Sequence, residues 1–138
     1  MKLNKFNYFL LLMFGLLSNI CFAEDKKQDD WQYVLSRNEV SYSVEMKSVN
    51  FAPGPTLLFW FAATDYNKNT LSMAYAAVNT AKREVKIEEY YIFDLKTKEQ
   101  LFSTKKPSNW TPIEKDSPVE IVVTYIFQHH PETKDIKH

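Results

Sequence analysis

The chain has 138 residues, seventeen acidic against seventeen basic side chains, 15% aromatic residues, two glycines and one cysteine. That length holds one domain at most, and the charge balance gives no general attraction to nucleic acid. One cysteine excludes an internal disulfide and a thiolate metal site, and the scarcity of glycine excludes a glycine-rich phosphate loop.

Residues 1–23 read as a secretory signal peptide: Lys2 and Lys5, an apolar run from Tyr8 to Leu17, then Ser18 to Ala23 ending on a small residue. The run is shorter than the roughly 20 apolar residues that cross a bilayer. Cys21 lies inside this segment. Lipid attachment there is disfavoured because Ile20 precedes it where a small residue is normal, so cleavage after Ala23 leaves a mature chain with no thiol. Seventeen acidic and fifteen basic side chains then remain, a formal charge near −2. Residues 24–30 are charged and without apolar period, a solvated linker.

The domain is expected over residues 31–130. Trp31 to Ser36 and Val40 to Met46 alternate apolar and polar positions around an Arg37-Asn38 interruption, which predicts two short strands and a two-residue turn. Pro53-Gly54-Pro55 marks a loop. Thr56 to Ala63 is apolar on both sides, with Leu57, Phe59 and Phe61 opposite Leu58, Trp60 and Ala62, so it belongs mid-sheet or faces a partner. Leu71–Asn79 and Glu84–Leu95 form a hairpin; for the first arm strand is favoured over helix, because Leu71, Met73 and Tyr75 keep period two. In the second arm Val85, Ile87, Tyr91, Phe93 and Leu95 keep that period, broken only at Glu89, which predicts a sheet covered on one side. Gln100 to Ser103 is a short strand candidate, and Lys105 to Asn109 a polar loop.

Ser117-Pro118-Val119-Glu120 is a capping box with proline at the first helical position. Beyond it Glu120, Thr124 and Gln128 make a polar stripe, and Val119, Val122, Val123, Ile126 and Phe127 the opposite face, so the spacing predicts a helix stopped by Pro131. Residues 131–138 read as a loose tail.

These residues resemble the surface-adhesin protein E family of small exported bacterial domains. The similarity is carried by Trp31, by Ser41-Tyr42-Ser43-Val44-Glu45-Met46-Lys47-Ser48-Val49, by Val78-Asn79-Thr80, and by Trp110-Thr111-Pro112-Ile113 leading to Asp116-Ser117-Pro118-Val119-Glu120. It covers about Trp31 to Phe127. Glu45 stands where the family usually has aspartate, and Thr80 where many members carry a cysteine that pairs with another near the chain end, so the chain resembles a divergent member lacking both cysteines. The resemblance implies an antiparallel sheet packed by a C-terminal helix, and adhesion to host proteins for the named member.

Few residues suggest chemistry. His129 and His130 point about 100° apart on a helix, so they are expected in its last turn, where the dipole favours a cationic imidazole, and no metal or cofactor is expected. Glu88 and Glu89, neighbours on a strand, are expected on opposite faces and so unable to share a substrate. No serine, histidine and aspartate arrangement has a supporting motif, and the protein is expected not to be an enzyme. Lys82, Arg83 and Lys86, with Lys96 and Lys98 at the next turn, are the candidate binding patch, a basic end of the sheet suited to an acidic host-protein segment or an anionic polysaccharide. Phe59, Trp60 and Phe61, or an exposed sheet edge, suggest a homodimer.

The whole reads as an exported α+β domain: an antiparallel sheet of five to six strands with one C-terminal helix packed across one face. The expected function is non-enzymatic binding at the bacterial envelope or surface, with a host extracellular protein or another envelope protein as partner. Periplasm, outer surface and secretion remain open as locations.

Overall fold

The structure, a computed structural model, describes residues 31–131. The expected signal peptide, the charged linker and all of the tail but Pro131 lie outside the described residues. Seven strands and one helix follow in order: β1 Trp31–Arg37, β2 Val40–Ala52, β3 Thr56–Asp65, β4 Thr70–Asn79, β5 Glu84–Asp94, β6 Gln100–Thr104, β7 Thr111–Pro112 and α1 Pro118–His129. Strands β1 to β6 are hydrogen-bonded antiparallel in sequence order, and β7 adds to β5. The expected α+β fold is therefore present, with β7 as a strand that the sequence pattern did not show.

Short connections dictate the meander, because neighbours joined by a few residues can pair only antiparallel. Three of the turns use one device. Asp65, Asn79 and Asp94 each end a strand and accept, through Oδ1, two backbone N–H groups two and three residues on. Four residues after each comes a left-handed residue: Asn69 at φ 54°, Arg83 at φ 55° and Lys98 at φ 65°. The β1–β2 turn is Asn38-Glu39, one residue later than the spacing suggested. Its φ values of 53° and 64° are those of the mirror-image turn that fits strand twist. Gly54, at φ 76° after Pro53, supplies the positive φ that a type II turn requires.

Bulges decide which side chains share a face. Register breaks fall between Tyr33 and Leu35 in β1, between Glu45 and Asn50 in β2, at Glu88 of β5 opposite Tyr75 and Ala76, and at Leu101 of β6 opposite Ile92 and Phe93. The break in β2 is stitched by side chains. Ser48 Oγ donates to Glu45 O at 2.6 Å and accepts from Trp60 N at 2.8 Å, while Glu45 Oε1 accepts from Lys47 N at 2.8 Å. The break in β5 leaves Glu88 unpaired and inverts the pleat. Val85 and Ile87 pair with Val78 and Ala76 beneath the helix, whereas Tyr91 and Phe93 pair with Met73 and Leu71 on the other side. The apolar series in β5 thus serves two faces. The expectation of a single covered side fails with it, since Leu71, Met73, Tyr91 and Phe93 are as buried as the residues under the helix.

The core on the helix side joins Val44, Met46, Val49, Leu57, Phe59, Ala76 and Val78 to Val122 and Ile126 of α1. Ser117 caps the helix in extended conformation, its Oγ accepting from Glu120 N at 3.3 Å, with Pro118 at the first position. Half of the expected capping box forms. Glu120 does not return to Ser117 N, which donates to Glu114 O instead; its Oε1 accepts from Asp116 N at 2.9 Å. Two strands from opposite sides of the sheet reach this terminus: Arg37 of β1 donates to Asp116 O at 2.6 Å, and Arg83, preceding β5, forms an ion pair with Glu120. A flat sheet would hold β1 and β5 about 19 Å apart, four strand spacings. The sheet therefore coils around the helix, as bulges that add local twist allow.

A cleft between the helix and the β4–β5 turn

Where α1 leaves the end of β4, packing is incomplete and a cleft of about 310 Å³ opens. Val78, Ile113, Val123 and Phe127 line it with apolar surface, and Thr80, Arg83, Glu120, Thr124 and Gln128 supply the polar groups. The polar stripe read from the helix is one wall of this cleft. Phe127, expected in the core, is 42% exposed; it lines the cleft and packs its ring 5.9 Å from that of Phe51. The physical reason is the coil of the sheet, which fits Val122 and Ile126 inside and leaves the next residue round the helix at the opening.

Of the three basic residues singled out by sequence, one belongs to the cleft. Arg83 stands on its rim with a side chain 63% exposed, held in the left-handed region by the turn and ion-paired to Glu120. Backbone donation from Asp116 holds the Glu120 carboxyl below the ordinary range, and Arg83 adds to this. Lys82 is exposed at the turn, its N–H committed to Asn79 Oδ1 at 2.9 Å. Lys86 pairs across with Ala77, pointing away from the helix because its neighbours Val85 and Ile87 point toward it. There it lies 3.5 Å from Glu88 Oε1 and 5.1 Å over the Trp110 ring. The structure thus separates Arg83 from Lys86 by the thickness of the sheet. Lys96 and Lys98 are at the far end of β5, about 33 Å along an eleven-residue strand, so the two turns do not form one basic end.

The bulge also changes the carboxylate pair. Glu89 opposes Tyr75, and Glu88, two residues from Lys86 and ion-paired to it, turns the same way; both raise the Tyr75 phenol after burial has done so first. The expectation that they occupy opposite faces is therefore wrong, because an inserted residue cancels the alternation. Glu89 Oε1 accepts from Tyr91 Oη at 2.8 Å, and burial, then this bond, pushes the Tyr91 phenol up. Glu89 is thus an inward carboxylate with a partner.

His129 is in the last helical turn, where Nδ1 lies 2.9 Å from Tyr125 O and the ring stacks on Tyr125 at 3.9 Å; His130 caps the helix with its ring against Phe51. Among the described residues no group of three or more His, Cys, Asp or Glu side chains converges as a metal site would require, and no helix is long and apolar enough to cross a membrane. Phe59 is fully buried and Phe61 packs against the helix core, so of the three aromatics suggested for a dimer only Trp60 faces away from the helix, beside Tyr75.

No family model, no curated protein and no solved structure matches this chain.

Proposed function

We propose that the chain is an exported, non-enzymatic bacterial envelope or surface protein that works by binding, as an adhesin for host proteins, and that the cleft is its recognition site. The cleft carries this reading: four apolar side chains form a concave floor and five polar side chains surround it, so a ligand seated there meets apolar surface and hydrogen-bonding groups together. Its one carboxylate, Glu120, is committed to Asp116 N and Arg83, which suits a fixed recognition wall better than a proton-transfer group. Export is supported by the character of residues 1–23, and the adhesin reading by the resemblance to the surface-adhesin protein E family. Two experiments test it together. Protease shaving of intact cells should remove the protein, and capture of extracellular-matrix proteins should be lost when Lys82, Arg83 and Lys86 are changed to glutamate. A protein spared by shaving is not an adhesin, and capture unchanged by the substitutions removes this end of the molecule from recognition.

A second reading is a periplasmic structural or accessory domain that assembles with another envelope protein. It is supported by β6, which ends the strand order and leaves Leu101 and Phe102 54% and 49% exposed. A chain protected from shaving and cross-linked through β6 would favour it.

A further inference from the structure

We infer that the ligand of the cleft is an extended peptide segment that lays alternate apolar side chains on its floor and brings a carboxylate to Arg83. This rests on the cleft being the recognition site and names what it recognises.

The argument is one of matching periods. Glu120, Thr124 and Gln128 all line the cleft at intervals of four residues, which on a helix is a rise of about 6 Å per step. An extended chain repeats its side-chain direction every two residues, about 6.6 Å. A peptide running beside α1 therefore meets a polar side chain at each repeat of its backbone, with Thr124 and Gln128 both able to donate and accept. On the opposite wall Thr80 Oγ1 already donates to Pro55 O at 3.0 Å, so toward the cleft its oxygen is an acceptor for a peptide N–H. Between these walls Val78, Ile113, Val123 and Phe127 form the floor. The cleft, of about 310 Å³ and open to solvent, takes apolar side chains on its floor while the backbone of a longer ligand runs outside it along the rim.

Charge sets the end group. Arg83 has five N–H donors in a planar fork, and the contact with Glu120 runs through Nη2 to a single carboxylate oxygen. The exposed remainder of the guanidinium faces solvent at the rim and is complementary to a second carboxylate, while Glu120 retains Asp116 N whatever Arg83 does. An amine at the same place would meet Arg83 as a like charge.

The test is chemical-shift mapping of the ¹⁵N-labelled protein. The probe is a blocked pentapeptide alternating leucine with threonine and carrying one terminal aspartate, made in both sequence directions. Comparison probes are the same peptides with asparagine for aspartate, and octanoate. The expected result is shifts confined to Val78, Ile113, Val123, Thr124 and Phe127 for one direction. The asparagine peptide should bind about tenfold more weakly, the value of a lost charge-assisted hydrogen bond. Arg83→Gln should make the two peptides equal, Lys82→Gln should leave them different, and Thr124→Trp, which fills the cleft from its exposed wall, should abolish both. Shifts elsewhere, equal binding of both peptides to the unaltered protein, or octanoate binding as tightly as the peptide would each overturn the inference. Capture of matrix proteins that survives Thr124→Trp would overturn it too, while leaving a binding function intact elsewhere on the chain.

Discussion

The β1–β2 turn offers a direct measurement of how this backbone is held. Glu39 takes φ 64°, a region where a β-carbon costs about 1–2 kcal/mol. Its side chain is exposed and makes no hydrogen bond or ion pair among the described residues, while its carbonyl accepts from Tyr66 N, a bond that any residue keeps. Glu39→Gly therefore relieves the strain and loses little else. Against it stands the extra freedom glycine gives the unfolded chain, about 0.4–1 kcal/mol. The net expectation is a gain of about 0.5–1 kcal/mol, or a melting point higher by roughly 2–8 °C for a domain of this size. The assay is thermal and urea unfolding by circular dichroism, with an unchanged dependence on urea showing that the unfolded state is the same. Arg83→Gly provides the comparison, since φ there is 55° and glycine removes the same strain. It also removes the ion pair to Glu120, so it should fall below Glu39→Gly on the stability scale. A neutral or destabilising Glu39→Gly would refute the left-handed assignment of the turn, and two equal gains would refute any structural role for the Arg83 side chain.

Ile126→Ala, at a fully buried position between helix and sheet, should cost about 2–5 kcal/mol, read as a lower urea midpoint. Ser48→Ala deprives both Glu45 O and Trp60 N of the hydroxyl that bridges the β2 bulge and should cost about 1–3 kcal/mol, with faster amide exchange at Trp60. Backbone donation from Asp116, with Arg83 beside it, holds the Glu120 carboxyl below its ordinary range in the folded state, so the stability it contributes is present above the ordinary carboxylate value and disappears as pH falls through the lowered one. Glu120→Gln should accordingly flatten the acid limb of a stability profile below about pH 4.5 and leave its slope above pH 6 unchanged, a pattern checked by urea midpoints across the range.

The elements were legible because their signals are local. Proline with glycine at 53–55 and the Ser117-Pro118 start each act within a few residues, and β3, β4, β5, β6 and the helix fall close to where the sequence pattern puts them, whereas β7 and the second half of β2 do not show in it. The faces were less legible, because a bulge is invisible to a period-two reading that tolerates one exception. In β5 the exception in the sequence is Glu89, and the residue that causes it is Glu88, one position earlier. The same blindness hid the second half of β2, where Glu45 and Ser48 replace ladder hydrogen bonds with side-chain ones and carry the strand on to Ala52. A polar residue interrupting an apolar alternation is the signal that would have found both.

The cleft was hidden for a different reason: it exists because of a misfit between two elements 40 residues apart, and no local pattern encodes a misfit. Its parts are nevertheless legible separately, Arg83 as a basic residue at a turn and Glu120, Thr124 and Gln128 as a polar stripe on the helix. What joins them is coiling of the sheet, which follows from four register breaks whose positions sequence alone left open. Straighten the sheet and Arg83 moves away from Glu120, the helix terminus loses one of its two arginine tethers, and the cleft ceases to have a charged rim. The device that obscured the faces is thus the one that assembles the site.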